Sequence, residues 1–285
     1  MARLFLSVLA LLEVAAALPG PRNDVLGIRS QQPILKVGIK ASDIIPNIIS
    51  GEEAGVGEFP FQISIQVTDR LGQKFHNCGG CIYNENTIIT AAHCVKGYDP
   101  TTLQVVAGDH DIFIEEGTEQ VRNVQSYIYN PYFDKPTLDN DTAIIWLDRP
   151  LVFNNRVQPI ALIQPGEEPT GTCVNSGWGN TNPGNPPQYA EKLQKVYLDI
   201  IDRDTCTDQY QYINKVTPGM VCAGGTGGKA SCNGDSGGPL ICKNSKGEDV
   251  LAGLVSWGVS PCGQDQFPSV YANVVYFYSW LTENL

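Results

Sequence analysis

Short stretches in which apolar and polar residues alternate run along most of this 285-residue chain. In FPFQISIQV, the side chains of Phe61, Ile63, Ile65 and Val67 fall on one face, as they do in a half-buried β-strand. Gly, Pro, Asn and Asp separate the stretches that follow. The pattern predicts an all-β protein built as a sandwich or as barrels. The further predicted strands are CIYNENTIIT, LQVVAG, VRNVQSYIY, TAIIWL, TCVNSGW, LQKVYLDII, PLIC, VLAGLVSW and VYANV.

Two segments have features typical of helices instead. Asp202 is placed to cap a short helix that runs through Cys206. Near the C-terminus, apolar side chains recur at helical spacing and predict a final helix. These side chains belong to Val274, Phe277, Tyr278, Leu281 and Leu285.

The N-terminus has the parts of a secretory signal peptide. Arg3 supplies the positive charge, residues 4–12 form the apolar run, and Ala15–Ala17 is a small-residue cleavage site. The alternative is a buried N-terminal helix. We interpret residues 1–17 as the signal peptide and residues 18–47, which contain four prolines and no cysteine or aromatic residue, as a spacer. No later stretch is long and apolar enough to cross a membrane. We therefore expect a secreted, extracellular protein.

Composition indicates the compartment in which the protein is found and excludes some classes of binding partner. The net charge is −11, and without the first 47 residues it is −13, from 14 basic and 27 acidic residues. So acidic a protein is not expected to bind nucleic acid or anionic membranes. Nine cysteines fit an oxidising compartment. Because their number is odd, at least one cysteine lacks an intramolecular partner.

Three short motifs hold residue types that together perform nucleophilic catalysis. His93 lies beside a cysteine in TAAHCV, Asp141 lies just before an apolar strand in LDNDTAIIWL, and Ser236 lies among glycines in CNGDSGGP. Each alone has an ordinary structural interpretation, as a histidine near a disulfide, a strand cap or a turn. Together, in the order His, Asp, Ser, they supply a base, an orienting carboxylate and a nucleophile.

The sequence resembles the chymotrypsin family of secreted serine endopeptidases from residue 48 to the C-terminus. The resemblance implies two six-stranded antiparallel β-barrels, roughly residues 48–160 and 161–272, with the active site between them and a C-terminal helix after them. Within the family, GGKASCNGDSGGP and the acidic charge look most like arthropod digestive chymotrypsin-like or brachyurin-like enzymes. The matching stretches are IISGEEAGVGEFPFQIS, HNCGGCIYNENTIITAAHC, NDTAII, SGWG, MVCAG, CNGDSGGPLIC and LVSWG.

The resemblance assigns the catalytic roles. Ser236 attacks the peptide carbonyl and forms an acyl-enzyme, His93 takes and returns the proton, and Asp141 favours the imidazolium. The backbone N–H groups of Gly234 and Ser236 are expected to bind the oxyanion. Asp139 is a rival for the carboxylate role. The family pattern selects Asp141 because it follows an Asn and directly precedes the apolar strand.

The resemblance also places the substrate pocket. Ser256 is expected to hydrogen-bond the catalytic Asp, and Ser256–Trp257–Gly258 presents an edge to the substrate backbone. Ala230 lies at the pocket floor, where trypsin-like enzymes have Asp. A buried cation without a partner costs several kcal/mol, so cleavage after Lys or Arg is disfavoured. Gly258 leaves the mouth open, and Ser269 narrows the interior.

The expected preference is for apolar residues before the cut, such as Leu, Met, Phe or Tyr. An elastase-like preference for small residues is one alternative. A trypsin-like preference is another, because Asp265 lies in the loop that closes the pocket and would restore basic specificity if it turned inward. A further alternative is a non-catalytic homologue that acts as a binding cofactor, although every catalytic residue type is present.

An activation switch follows from the same resemblance. Cleavage after residue 47 would make Ile48 a new N-terminus, whose ammonium pairs with Asp235 and orders the oxyanion loop. The chain is then a zymogen, with residues 18–47 as the activation propeptide and residues 48–285 as the protease domain. Asn47 occupies a position where most relatives have Arg or Lys, so an activating protease that accepts Asn, or a second trimming step, is expected.

His76 matches a position that holds Asp235 in the uncleaved form of the family. The alternative interpretation is that His76 is a surface loop histidine.

Spacing alone does not fix the disulfides. The resemblance leaves Cys81 unpaired, either as a small buried residue or, as a less favoured interpretation, as a reactive or intermolecular thiol. The pairs it implies are Cys78–Cys94, Cys173–Cys242, Cys206–Cys222 and Cys232–Cys262.

GDHDIFIEEGTEQ resembles the calcium loop of the family. Asp109, Glu116 and Glu119 would supply carboxylates, and Asp111 and Ile114 would supply carbonyls, to a hard cation that prefers oxygen ligands. An acidic, solvated loop is the alternative. Catalysis itself is expected to require no metal and no other cofactor.

The expected partners follow from this assignment. They are protein or peptide substrates, an activating protease and protein inhibitors, and the enzyme is expected to act as a monomer.

Overall fold

Strands form most of the regular structure in this computed structural model, which describes residues 50–182 and 188–285. The described residues belong to the unit Ile44–Leu285. The predicted signal peptide, the spacer and the bond between Asn47 and Ile48 lie outside the described residues.

The first barrel closes through antiparallel pairs in the order β2, β3, β4, β7, β6, β5 and back to β2. Apolar side chains of these strands fill its interior, among them Ile63, Ile65 and Ile145, which are fully buried. Hydrogen bonds between neighbouring strands satisfy the backbone around the ring, so no edge strand remains in this barrel. The strands are β2 (Gln62–Thr68), β3 (Lys74–Asn84), β4 (Thr87–Thr90), β5 (Leu103–Ala107), β6 (Gln120–Tyr129) and β7 (Ala143–Leu147).

The second barrel closes in the order β10, β11, β14, β13, β12, β9 and back to β10. The short strand β1 (Glu52–Glu53) pairs with β10, and β8 (Ala161–Leu162) pairs in parallel with β13. The prediction of two closed six-stranded antiparallel barrels is therefore confirmed. The barrel strands are β9 (Thr172–Gly177), β10 (Gln194–Ile201), β11 (Met220–Ala223), β12 (Pro239–Lys243), β13 (Asp249–Trp257) and β14 (Ser269–Asn273).

Strand β2 differs from its predicted half-buried form because its polar face is buried as well. Ser64 is fully buried and Gln62 is 3% exposed. Gln62 accepts a hydrogen bond from Ser176 Oγ on β9 at 2.8 Å, which links the two barrels. Gln62 is therefore a polar partner between the barrels, whereas Ser64 Oγ bonds His76 within the first barrel, so neither side chain faces solvent.

Helices are few among the described residues. The predicted α2 (Arg203–Tyr210) begins where the Asp202 side chain accepts from the Thr205 N–H, and the predicted C-terminal α3 (Val274–Asn284) buries Val274, Phe277 and Leu281. The sequence pattern does not predict the one-turn helix α1 (Ala92–Val95), and a 3₁₀ turn lies at Pro100–Thr102.

The described residues include all nine cysteines and form four disulfides, which are the pairs that the resemblance implies. Cys81 is the unpaired cysteine; it is fully buried, and burial raises the pKa of its thiol. The favoured interpretation, a small buried side chain, fits this position. The disulfides are Cys78–Cys94, Cys173–Cys242, Cys206–Cys222 and Cys232–Cys262.

Candidate active site

Helix α1 carries His93 at the end of the first barrel. The residues around it in the chain, Ala92, Cys94 and Val95, are buried, so the helix is anchored by small apolar side chains. The Cys78–Cys94 disulfide ties the helix to β3. This anchoring leaves His93 as the partly exposed residue of the turn.

Asp141 fixes the His93 side chain through two contacts. His93 Nδ1 donates to Asp141 Oδ2 at 2.7 Å, and the His93 backbone N–H donates to Oδ1 at 2.9 Å. Ser256 Oγ donates to the same Oδ2 at 2.6 Å. Because Asp141 is only 1% exposed, these hydrogen bonds replace its hydration. The arrangement holds the proton on Nδ1 and leaves Nε2 as the basic nitrogen.

Asp139 is engaged elsewhere. Its Oδ1 accepts from Thr217 Oγ1 at 2.7 Å and from the Asn140 N–H at 3.0 Å. Asn140 has a positive φ of 57°, so the chain turns just before Asp141, which lies two residues ahead of β7. The structure thus places Asp141, and not the rival Asp139, against His93.

The loop with Ser236 is held against the first barrel. The Ser236 carbonyl accepts from the Gly79 N–H on β3 at 2.8 Å, and the Gly237 N–H donates to Val255 O on β13 at 2.8 Å. Gly237 has a φ of 73°, and a Cβ added there would lie 2.1 Å from Thr90 Oγ1, three residues before His93. Close backbone packing, possible only with glycine, therefore places half-buried Ser236 beside α1.

The residues next to Ser236 leave two backbone donors available. Among the described residues, the N–H groups of Gly234 and Ser236 have no hydrogen-bond partner. Gly234 has a φ of 98°, and its carbonyl accepts from His76 Nε2 at 2.8 Å. Two free N–H groups beside a serine hydroxyl are what an oxyanion requires.

His76 is neutral and positions Gly234. Ser64 Oγ donates to its Nδ1 at 2.7 Å, and burial of the ring, which lies edge-on to Trp178, lowers its pKa to about 4. The expectation that His76 holds Asp235 in the uncleaved chain is not met by this geometry. The structure shows His76 bound to the carbonyl of Gly234, the residue before Asp235.

Asp235 is completely buried in a narrow site. Its Oδ1 accepts from the Gly179 N–H and its Oδ2 accepts from the Cys232 N–H, both at 2.8 Å. A Cβ at Gly177 or Gly179 would lie 2.2 to 2.4 Å from the carboxylate, so only glycine fits at either position. Burial raises the pKa of Asp235 to about 7. The SGWG motif therefore builds the walls of this site, a role that the sequence alone does not reveal.

The expected pocket residues lie near the second-barrel strands β13 and β14. Ala230 and Ser269 are each 4% exposed, and Ser269 Oγ accepts from the Ser231 N–H at 3.0 Å. Ser256 and Trp257 end β13, and a Cβ at the next residue, Gly258, would meet no atom within 4 Å. Ala230, expected at the pocket floor, and Ser269, expected in its interior, are therefore buried, and the space beside Gly258, expected at the pocket mouth, is open.

Asp265 and Tyr210 complete the surroundings of the pocket. Asp265 is exposed and accepts from the Gly228 N–H at 3.1 Å, so it does not turn inward. Tyr210 is fully buried, donates to the Pro268 carbonyl at 2.5 Å, and packs edge-on to Trp257 with 4.7 Å between ring centroids. Sequence reasoning missed Tyr210 because only its place near the end of the short predicted helix marks it in the sequence.

The acidic loop gathers three carboxylates. Single oxygen atoms of Asp109, Glu116 and Glu119 lie within 4.8 Å of one another. Burial and the two nearby glutamates raise the pKa of Asp109 to about 7, and its buried Oδ1 has no partner among the described residues. The Asp111 carbonyl accepts from the Ile114 N–H at 3.0 Å and keeps a second lone pair. This donor set fits a hard divalent cation.

Comparison with known proteins agrees with this geometry. The trypsin family profile matches residues 48–281. Trypsin-1 of Astacus astacus, an arthropod, is 45% identical over 242 residues, covering 83% of this chain and 99% of that protein. The vitellin-degrading protease of Bombyx mori is 33% identical over 92% of each chain, and the trypsin of Sus scrofa is 34% identical over 84% of this chain and 95% of its own. The chain therefore belongs to the trypsin family of chymotrypsin-like serine proteases and is a serine endopeptidase.

Proposed function

We propose that this chain is the secreted zymogen of an endopeptidase that cleaves after apolar residues through an acyl-enzyme on Ser236. The observation that carries the catalytic part is the hydrogen-bonded set Ser256–Asp141–His93 beside the Ser236 loop. A buried carboxylate that orients a histidine next to a serine provides general-base activation of that serine.

The mechanism follows from these positions. His93 Nε2 takes the proton of Ser236 Oγ as the oxygen attacks the peptide carbonyl carbon, and the Asp141 carboxylate stabilises the imidazolium that forms. The N–H groups of Gly234 and Ser236 donate to the oxyanion of the tetrahedral intermediate. His93 then gives its proton to the leaving amine, and the C–N bond breaks to leave the acyl-enzyme. A water molecule, deprotonated by His93, releases the acid product in the reverse sequence of steps.

Activation is proposed to depend on Asp235. Cleavage between Asn47 and Ile48 converts the Ile48 amide nitrogen into an ammonium, which would enter the Gly177–Gly179 site and pair with the carboxylate. A buried carboxylate is stabilised by such a partner, and residues next to Asp235 are the oxyanion donors. The activating protease must accept Asn47 or act before a trimming step. N-terminal sequencing of the active form tests this, and a start other than Ile48 would contradict it.

The apolar preference rests on Ala230. An alanine at the pocket floor offers neither charge nor hydrogen bond to a Lys or Arg side chain, and an unpaired buried cation costs several kcal/mol. Asp265, the charge that would restore basic specificity, is bound to the Gly228 N–H on the surface. A trypsin-like preference remains the second candidate because the relatives from Astacus and Sus scrofa are named trypsins; an elastase-like preference is the third.

A peptide panel that varies only the residue before the cut decides among these candidates. We expect kcat/KM to be highest for Leu, Met, Phe or Tyr. A maximum at Arg or Lys would overturn the pocket argument, and a maximum at Ala would favour the elastase-like candidate. None of these results would alter the assignment of the catalytic residues.

A structural calcium ion is proposed for the acidic loop. Asp109, Glu116 and Glu119, with the carbonyls of Asp111 and Ile114, would hold it, and the ion would offset the mutual repulsion of the carboxylates. It would take no part in the reaction. The orphaned Asp109 Oδ1 supports this proposal.

Secretion is proposed from the N-terminal sequence, and a helix of the length and apolarity needed to span a membrane does not occur in the described part of the chain. Protein or peptide substrates fit the family assignment. An activating protease, protein inhibitors and a monomeric state remain proposals.

A further inference from the structure

Asp139 takes part in a contact between the two barrels. It lies in the first-barrel segment between β6 and β7, two residues before Asp141. Its Oδ1 accepts from Thr217 Oγ1 at 2.7 Å, and Thr217 belongs to the second-barrel segment between α2 and β11. In the same two segments, Asn214 Nδ2 donates to the Thr137 carbonyl at 2.9 Å. We call these two hydrogen bonds the Asp139 clasp.

The backbone on both sides of Asp139 has an unfavourable conformation. Leu138 has a φ of 55° and Asn140 has a φ of 57°, in the left-handed region that residues with a side chain seldom adopt. Asp139 Oδ1 also accepts from the Asn140 N–H at 3.0 Å, so one oxygen atom joins the turn to the second barrel. A strained conformation persists only where its surroundings hold it, and the Asp139 clasp holds this one from outside the loop.

The second-barrel side of the Asp139 clasp is firmly anchored. Thr217 is buried, and its carbonyl accepts from the Met220 N–H at 3.0 Å. The preceding residue, Val216, packs in a buried cluster with Tyr210 and Met220. The Cys206–Cys222 disulfide lies in the same cluster. Thr217 is therefore a fixed point that can position the loop of the first barrel.

This position matters for catalysis because Asp141 follows directly after the strained turn. Its carboxylate accepts from the Nδ1 and the backbone N–H of His93, and a small misplacement of a catalytic group lowers the rate sharply. We propose that Asp139 and Thr217 are a positioning pair, whose hydrogen bond between the barrels keeps the Asp141 carboxylate in place on His93. The pair acts through Asp141. This inference rests on the proposed function.

The first test removes the donor of the hydrogen bond. Thr217→Val keeps the shape of the side chain but has no hydroxyl group. For the enzyme cleaved after residue 47, we expect kcat on a good peptide substrate to fall about tenfold with KM unchanged, because the interaction matters in the transition state. Thr217→Ser retains the donor and should restore kcat to within about threefold of the parent. Thr207→Val, the control, removes a hydroxyl that bonds the Arg203 carbonyl within α2 and should leave kcat unchanged.

The second test changes the acceptor. Asp139→Ala should lower kcat about tenfold or more, whereas Asp139→Asn keeps an acceptor oxygen without the charge and should retain most of the activity. Adding Thr217→Val to Asp139→Ala should cause no further loss, because both changes remove the same interaction. Asp69→Ala, the control, affects a carboxylate that accepts from N–H groups within its own loop between β2 and β3, and kcat should match the parent.

Proton NMR separates positioning from a general loss of stability. The proton between His93 Nδ1 and Asp141 Oδ2, which lie 2.7 Å apart, is strongly deshielded, so its signal reports this hydrogen bond directly. The signal should shift upfield or disappear in Thr217→Val, and it should keep the parent position in Thr217→Ser and Thr207→Val. A change that only lowered the Tm would leave the signal of the folded protein in place.

The outcomes distinguish the two proposals. If the parent cleaves the peptide and Thr217→Val has the same kcat and the same NMR signal, the clasp proposal is wrong and the proposed function stands. The same holds if Asp139→Asn is as slow as Asp139→Ala, because the charge and not the hydrogen bond would then be responsible. If Thr217→Val does not fold, this comparison of the Asp139 variants decides. If the parent cleaves no peptide, the proposed function fails, and the clasp proposal fails with it.

Discussion

The buried carboxylate of Asp235 leads to a prediction about stability. Cleavage of the chain should reverse the way in which the contribution of Asp235 to the free energy of unfolding depends on pH. The perturbation is Asp235→Asn, made in a Ser236→Ala background so that no proteolysis occurs. In the uncleaved chain, burial raises the pKa of Asp235 from 3.8 to about 7. A carboxyl group with a raised pKa stabilises the fold only while it is protonated. Its contribution is complete below pH 3.8 and is lost as the pH rises through about 7.

The magnitude follows from the size of this pKa shift. About three pH units at about 1.4 kcal/mol per unit correspond to ~4 kcal/mol. Asn does not titrate, although its amide N–H₂ opposes one of the N–H donors from Gly179 or Cys232 and destabilises both forms by a constant amount. The free energy of unfolding of the Asn variant minus that of the parent should therefore increase by ~4 kcal/mol between pH 4 and pH 8.

Cleavage between Asn47 and Ile48 should reverse the direction in which the contribution of Asp235 to stability changes with pH. If the ammonium of Ile48 pairs with it as proposed, the Asp235 carboxylate should stay in its charged form, because a nearby opposite charge lowers the pKa of a carboxyl group. Its contribution is then present near neutral pH and is lost in acid, so the Asn variant should be less stable than the parent at pH 7 and approach it at low pH. The cut is made in an Asn47→Lys background by a trypsin-like protease.

The assay is denaturant unfolding followed by tryptophan fluorescence, with the disulfides intact, for the uncleaved and cleaved forms at several pH values. If the stability difference between the Asn variant and the parent depends on pH in the same way in the uncleaved and cleaved chains, the proposed pairing of Ile48 with Asp235 is refuted. In the uncleaved chain, the free energy of unfolding of the Asn variant minus that of the parent should change with pH. If it does not, the inference that this carboxyl group is protonated near neutral pH is refuted.

The remaining predictions concern chemistry, specificity, metal binding and the free thiol. Asp141→Asn should lower kcat by about 10⁴-fold, because the His93 tautomer is no longer fixed; steady-state kinetics measure this, and a loss below tenfold would contradict it. Ala230→Asp should raise kcat/KM for cleavage after Arg relative to Leu by about 100-fold or more, since it pairs the buried cation, and an unchanged ratio would show that Ala230 does not form the pocket floor. Calcium should raise the Tm by a few degrees in the parent and not in Asp109→Asn, with equal shifts counting against the site. Cys81 should resist thiol reagents until the protein unfolds, and rapid labelling of the native protein would contradict its burial.

Local patterns could predict an all-β protein, whereas the two barrels and the catalytic contacts are implied by the resemblance to the chymotrypsin family. The alternation in FPFQISIQV predicts β2 because side-chain direction alternates in any strand. The pairing of His93 with Asp141 rather than Asp139 follows from motif context, and the hydrogen bonds agree. What local pattern misses is the second buried face of β2, because Gln62 and Ser64 gain polar partners that are distant in the chain.

Other features depend on packing between distant segments. The resemblance implies that His76 holds Asp235, but the fold places its Nε2 on the Gly234 carbonyl, one residue away. Gly179 looks like an ordinary loop glycine until the Asp235 carboxylate is seen to fill the space of its missing side chain. Tyr210, which supports Trp257, has no signal in the sequence beyond its place in a helix. Such contacts are set by tertiary structure, so single-sequence patterns do not contain them.

Covalent labelling by a serine-directed phosphonate tests whether Ser236 is the catalytic nucleophile. The protein is cleaved between Asn47 and Ile48, treated with the phosphonate, digested and analysed by mass spectrometry. We expect one modified residue, Ser236, with labelling that is abolished in Ser236→Ala and strongly slowed in the uncleaved chain. Labelling that is absent from the cleaved protein, or that persists in Ser236→Ala, would contradict the assignment of Ser236 as the nucleophile.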